Sequence, residues 1–248
     1  MKRAAALAGG LAASALLRAA DARACGVSAS GTPGLCDASA ILDENRASSR
    51  DRVGASYGFT TTVLYFSDGF RAPTQRHVVM GSYEHKLPGR WTLGVDAGAL
   101  VGGHLADSLF SPGFVAALSL SYVLVPSSGY ATPFLLSSFT AAGMYAQTTD
   151  STGQGPATDY AAFDLSFGMT AGVPLRTGLG VVTPFLTGRL FGGPVFWSHE
   201  GGVVGTDAYK YALGPGLGLS LFRARLLLSV DGSVFGERSV RVGLSLAL

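Results

Sequence analysis

The stretch Ser239 to Leu248, SVRVGLSLAL, decides how the rest of the chain is read. Val240, Val242, Leu244, Leu246 and Leu248 are apolar at every second position, while Ser239, Arg241, Gly243, Ser245 and Ala247 between them are small or polar. A period of two belongs to a strand with two unlike faces, one set against an apolar surrounding and one against a polar one.

Working back from that strand, nine more segments carry the same alternation, at about 52–66, 76–87, 91–102, 113–125, 133–147, 159–173, 183–193, 208–222 and 225–234. The third is the cleanest, with Trp91, Leu93, Val95, Ala97, Ala99 and Val101 against Thr92, Gly94, Asp96 and Gly98. The fifth is ambiguous in register. Runs of this length exceed the usual globular strand of about 5–6 residues and suit a tilted strand crossing a bilayer. The longer, polar connections are expected after the first, third, fifth and seventh strands, notably 104–111, 148–158 and 195–207. Tyr57, Trp91, Tyr122 and Phe134 read as an aromatic girdle at one end of the strands, and Tyr65, Tyr145, Tyr160 and Tyr209 as one at the other.

Composition points the same way. Glycine makes up 35 of 248 residues and charged residues only 14%, against about 25% charged in ordinary domains. Low charge and positive hydropathy without a long apolar run fit strands in which membrane-facing residues alternate with interior ones. A soluble all-β sandwich with aromatics in its core is the competing architecture.

The first 24 residues have the parts of a secretory signal: Lys2 and Arg3, an Ala/Leu/Gly-rich run over 4–17, and Ala22-Arg23-Ala24 as a cleavage site. The expected mature chain starts at Cys25; lipoprotein processing at that cysteine is the alternative, which Arg23 fits poorly. The whole-chain charge of +2 resides in the leader, since removing Lys2, Arg3, Arg18, Arg23 and Asp21 leaves 14 basic and 15 acidic residues. No basic stripe points to nucleic acid. Cys25 and Cys36 are the only two cysteines, and in an oxidising compartment they are expected to form one small disulfide loop. Two thiolates alone do not make a zinc site, and no metal or cofactor is expected. Residues 25–50 read as a periplasmic segment with a short helix over 38–49, either solvated or plugging the barrel mouth.

These features together resemble a small bacterial outer-membrane β-barrel protein, at the level of architecture and with no subfamily motif. The resemblance implies an up-and-down antiparallel barrel over 51–248, of ten strands with eight as the alternative, integral to the outer membrane. Its partners would be outer-membrane lipid and the barrel-assembly machinery. Proteins of this kind usually end in Phe or Trp; this chain ends in Leu248.

Inward charges are the candidate functional residues. Asp96, Asp164, Arg189 and Asp231 fall near mid-depth, and Arg52, Glu84, Lys210 and Arg241 nearer the ends. They read either as a structural network, with Asp164 and Arg189 able to pair, or as a lining selecting cations. Small inward residues leave room for a narrow wet lumen, although ten strands lie near the filled end of the barrel range. Phe196 and Trp197 place apolar surface near the outer rim, as belt residues or as a contact for lipid or ligand. Hydrolase, nucleotide-binding and zinc-protease motifs are absent. His104 with Asp107, and His199 with Glu200 and Asp207, have the chemistry of rim catalysts without any specific spacing. The expected function is a narrow passive pore or small-solute transporter, and the alternative is a closed structural or surface-interaction barrel.

Overall fold

The computed structural model describes residues 51–152, 156–198, 203–222 and 226–248. The signal peptide, the Cys25–Cys36 loop and the helix expected over 38–49 lie outside them. The described chain is all strand and connection, without a helix.

Ten long strands form the wall: β1 (Asp51–Phe66), β2 (Arg71–Leu87), β3 (Trp91–Leu105), β5 (Gly113–Val125), β6 (Phe134–Asp150), β7 (Thr158–Gly172), β9 (Val181–Gly192), β12 (Tyr211–Leu221), β13 (Leu226–Ser233) and β15 (Arg238–Ala247). Five short pieces extend them past irregularities: β4 (Ser108–Phe110), β8 (Leu175–Arg176), β10 (Val195–Trp197), β11 (Val203–Asp207) and β14 (Phe235–Gly236). Each long strand pairs antiparallel with its chain neighbours, and β15 pairs back onto β1 from Arg52↔Ala247 to Thr61↔Arg238. The sheet thereby closes on itself and leaves no free long edge. At the base the Leu248 amide donates to the Asp51 carbonyl at 3.1 Å, tying the two ends together.

Register gives the tilt. A circuit of cross-strand partners leaves Leu217 and passes Val230, Val242, Tyr57, Val79, Ala99, Phe114, Tyr145, Ala161 and Phe196. It returns at Val204, thirteen residues before Leu217 on the same composite stave, β11 with β12. With strands about 4.8 Å apart and a rise of about 3.3 Å per residue, that offset over ten strands means a tilt of roughly 40°.

Every residue on that circuit faces outward, and most are apolar and exposed, including Phe114, Val242 and Leu217. Leu118, Phe139, Phe163, Leu186 and Val240 continue the band around the wall. Contiguous apolar surface on this scale is not tolerated in water and is what a bilayer solvates. The ambiguous fifth strand resolves with Phe139 and Tyr145 outward and Leu136, Thr140, Ala146 and Thr148 inward.

The connections differ from expectation. His104, Thr148 to Asp150, Val195 to Trp197 and Val203 to Asp207 all lie in strands, so the wall reaches into the segments read as long loops. The long connection at 126–133 instead joins β5 to β6 at the base. The girdles also change, because Phe134 and Tyr160 turn inward and are buried. Tyr57, Trp91, Tyr65, Tyr145 and Tyr209 remain exposed, and the Trp91 and Tyr122 rings pack 4.7 Å apart.

Candidate functional site in the barrel lumen

The interior has three levels. At the end away from the termini, Leu64, Phe66, Ala72, Leu100, Leu105, Phe110, Ala146, Tyr160, Val195 and Trp197 pack into one apolar core inside the barrel. These positions occur where the strands are apolar on both faces, as in Val63-Leu64-Tyr65-Phe66 and Val195-Phe196-Trp197. Burying them against one another is the ordinary hydrophobic term, about 1.5–3 kcal/mol per large side chain. Near the base a smaller group, Val123, Phe134, Leu136 and Phe185, fills the lumen from the opposite side.

Between them lies a polar level. Ser56, Thr62, Asp96, Ser119, Ser121, Thr140, Thr170, Ser229, Ser233, Arg241 and Ser245 all point inward and are buried. Thr170 and Thr187 share a hydrogen bond of 2.8 Å, and Ser233 and Ser239 one of 2.9 Å. A cavity of about 160 Å³ remains here, apolar on one wall through Val78, Met80, Val115 and Met144. The same cavity is lined by the charged side chains Arg76, Asp164, Arg189, Asp207, Glu237 and Arg241.

Of the expected lumen residues, Asp96, Asp164, Arg189, Asp231, Arg52, Glu84 and Arg241 do face inward. Arg52 Nη1 lies 3.3 Å from Glu84 Oε2 at the base, with both side chains buried. Arg241 Nη1 lies 3.9 Å from Asp231 Oδ2. Arg189 Nη2 donates to Glu237 Oε1 at 3.0 Å, so the partner it finds across the lumen sits in the last turn, whereas adjacency of strands pointed to Asp164. Lys210 departs from expectation. It falls at the irregularity between β11 and β12, which turns it out of the lumen; it is exposed, and its Nζ donates to the Thr206 hydroxyl on the outer face.

Three members of the charged wall escaped the sequence reading. Arg76 opens a strand and shares parity with Glu84, which is the signal that could have found it. Its Nη2 stands 3.9 Å from Glu237 Oε2. Asp207 looked like a loop boundary, yet its Oδ1 accepts from the Thr62 hydroxyl at 3.0 Å. Glu237 occupies a single-residue turn between β14 and β15, where no alternation assigns a side.

The rim pair divides. Phe196 is 49% exposed on the outer wall, whereas Trp197 is 3% exposed and belongs to the interior core, so strand alternation places only one of them on the surface. Of the rim residues considered for catalysis, His104 stands outward opposite Gln75, Asp107 is exposed in the turn after β3, Asp207 points into the lumen, and His199 and Glu200 lie outside the described residues.

Closed pairing, an apolar outer band and a polar middle level define a small transmembrane β-barrel of the outer-membrane type. No family model matches the chain, and no curated protein does. Among solved structures, the translocator domain of the autotransporter NalP from Neisseria meningitidis aligns at 16% identity over 86% of this chain and 93% of that one, with a TM-score of 0.45. The transport unit of the autotransporter AIDA-I from Escherichia coli aligns at 10% identity over 83% and 92%, with a TM-score of 0.40. The P. putida toluene transporter TodX aligns at 9% over 85% and 94%, with a TM-score of 0.32. At these values the alignments carry no argument, and the barrel rests on its own strand pairing.

Proposed function

We propose that the protein is an integral outer-membrane barrel whose lumen is shut, and that it works through its lipid-facing and rim surfaces. The observation that supports this is the ten-residue apolar core in the mouth, where Leu64, Leu100, Leu105 and Tyr160 are all at most 1% exposed. A conducting lumen needs a continuous polar path, and what supports a closed one is that the described side chains at that level are apolar and packed together. In this reading the charge network holds the middle of the barrel together.

A second reading, a narrow passive pore or small-solute transporter, is favoured by the charge-lined cavity of about 160 Å³. Single-channel recording in planar bilayers separates the two. The full mature chain is compared with one lacking 25–50 and with a triple variant, Leu64→Ser, Leu105→Ser and Trp197→Ser. Silence of the first two and conductance in the third is the expected result. Steady conductance of the unmodified chain overturns the closed reading, and conductance only after removal of 25–50 makes that segment the plug of a pore.

A further inference from the structure

Outside the lumen, the far end of the wall carries a hollow of about 610 Å³ between β1, β11 and the end of β9. Its floor is low because Gly192, Pro194, Val204 and Thr206 offer little side chain, and Tyr65 and Lys210 stand at its sides. One cross-strand row runs along it. Arg71 on β2 is the register partner of Tyr65 on β1, and Tyr65 is the register partner of Thr206 on β11. The Arg71 guanidinium lies over the Tyr65 ring, 4.7 Å from its centroid, and the Lys210 ammonium donates to the Thr206 hydroxyl.

Lys210 thus stands in the lining of an apolar hollow and Arg71 over the Tyr65 ring that bounds it, both held in place, which lowers the ordering cost of binding. Neither touches a carboxylate among the described residues, and the charge acting on Lys210 is Asp207 behind the wall. Phe196, Val204 and Tyr209 surround the hollow with exposed apolar and aromatic surface at the level of the rim, where a bilayer's headgroups meet its hydrocarbon.

We infer that this hollow is a binding site for a phosphate-bearing lipid of the adjacent leaflet, its acyl chain over Val204 and the glycines and its phosphate between Arg71 and Lys210. The inference rests on the membrane-spanning reading but on neither a closed nor an open lumen. An acyl chain matches the apolar floor, and a headgroup anion matches the two cations at its edge.

Native mass spectrometry of the full mature chain, released from mixed micelles holding equal phosphatidylglycerol and phosphatidylcholine, tests it. The unmodified protein is expected to retain phosphatidylglycerol preferentially. Lys210→Gln and Arg71→Gln should each weaken that retention about fivefold, from the roughly 1 kcal/mol an interfacial cation contributes toward anionic lipid. Gly192→Leu keeps both charges and fills the hollow, since a Cβ there meets Lys210 Cδ and Nζ at an ordinary 3.6 Å. It should also weaken retention. Heat-dependent gel migration verifies that each variant is a folded barrel. Equal retention of the two lipids, retention unchanged in the double charge variant, or displacement by inorganic phosphate as effectively as by the lipid each overturns the inference. A failed membrane reading shows itself separately, as a chain that stays folded and soluble without detergent.

Discussion

The indole nitrogen of Trp197 donates to the Thr148 hydroxyl at 3.0 Å, and in doing so reaches past a whole strand. Trp197 belongs to β10, which pairs with β7, and β7 in turn pairs with β6, where Thr148 lies. The bond therefore ties two staves that share no backbone hydrogen bonds. Replacing Trp197 by Ala is expected to cost about 3–5 kcal/mol, from lost burial and the void left in the mouth. Thr148→Val should cost about 1–3 kcal/mol by leaving the indole donor without its acceptor. Urea unfolding of the protein refolded in lipid vesicles, followed by tryptophan fluorescence for Thr148→Val and by gel migration for both, checks the order.

Glu237 gathers two arginines, Arg189 at 3.0 Å and Arg76 at 3.9 Å, with its side chain 12% exposed. Taking the carboxylate away removes the nearest anion from both arginines and leaves Asp164 and Asp207 to face them in the same cavity. Glu237→Gln is expected to destabilise by about 1–2 kcal/mol, the loss of charged hydrogen bonds with other carboxylates still facing the arginines. The double variant with Arg189→Gln should recover part of that loss, which a double-mutant cycle in the same unfolding assay measures.

Two glycines predict opposite outcomes. A Cβ on Gly214 would stand 1.7 Å from the Gly232 backbone oxygen, and a ladder carbonyl cannot step aside. Gly214→Ala should therefore cost several kcal/mol or block refolding, on the order of a serious overpacking event. A Cβ on Gly58 meets only Arg241 Cγ at 3.9 Å. Gly58→Ala is expected to be neutral or to stabilise by about 0.5–1 kcal/mol, the usual gain over glycine in a strand. Refolding yield and denaturation midpoint distinguish them.

The lipid-facing band and the lumen should respond differently to the same strand. Leu118 is 53% exposed on the outer wall and its neighbour Ser119 is 1% exposed inside. Leu118→Arg is expected to cost about 2–4 kcal/mol in a bilayer. Ser119→Ala should change stability by under about 1 kcal/mol, since an isosteric apolar replacement in the lumen buries no charge. Unfolding in vesicles of matched thickness gives both values; a small cost for Leu118→Arg would contradict the membrane placement.

Period-two alternation carried most of the fold. Ser239 to Leu248, Trp91 to Val101 and Phe163 to Val173 each have one apolar and one small or polar face, and each faces as that pattern requires. What alternation could not supply was the interior of the far end. There the strands are apolar on both sides, so Trp197 and Phe196 look alike in sequence although one seals the mouth and the other meets lipid. Lys210 was misplaced for a related reason, because an irregularity after β11 breaks the count and reverses the side. Glu237 belongs to a turn, where parity has no meaning, and the pairing of β14 with β12, which is itself beside β9, brings it to Arg189.

The residues that seal the mouth come from β1, β2, β3, β4, β6, β7 and β10, with none from β12 to β15. At that level β1 pairs with β11, from Leu64↔Asp207 to Phe66↔Gly205, while β13 and β15 turn back lower down, where Asp231 faces Arg241 and the hydroxyls of Ser233 and Ser239 meet inside. The seam along β1 is therefore shared by two strands, β15 in the lower wall and β11 at the mouth. Closing the ring takes two joins along β1, the lower one polar within and the upper one packed around the apolar core.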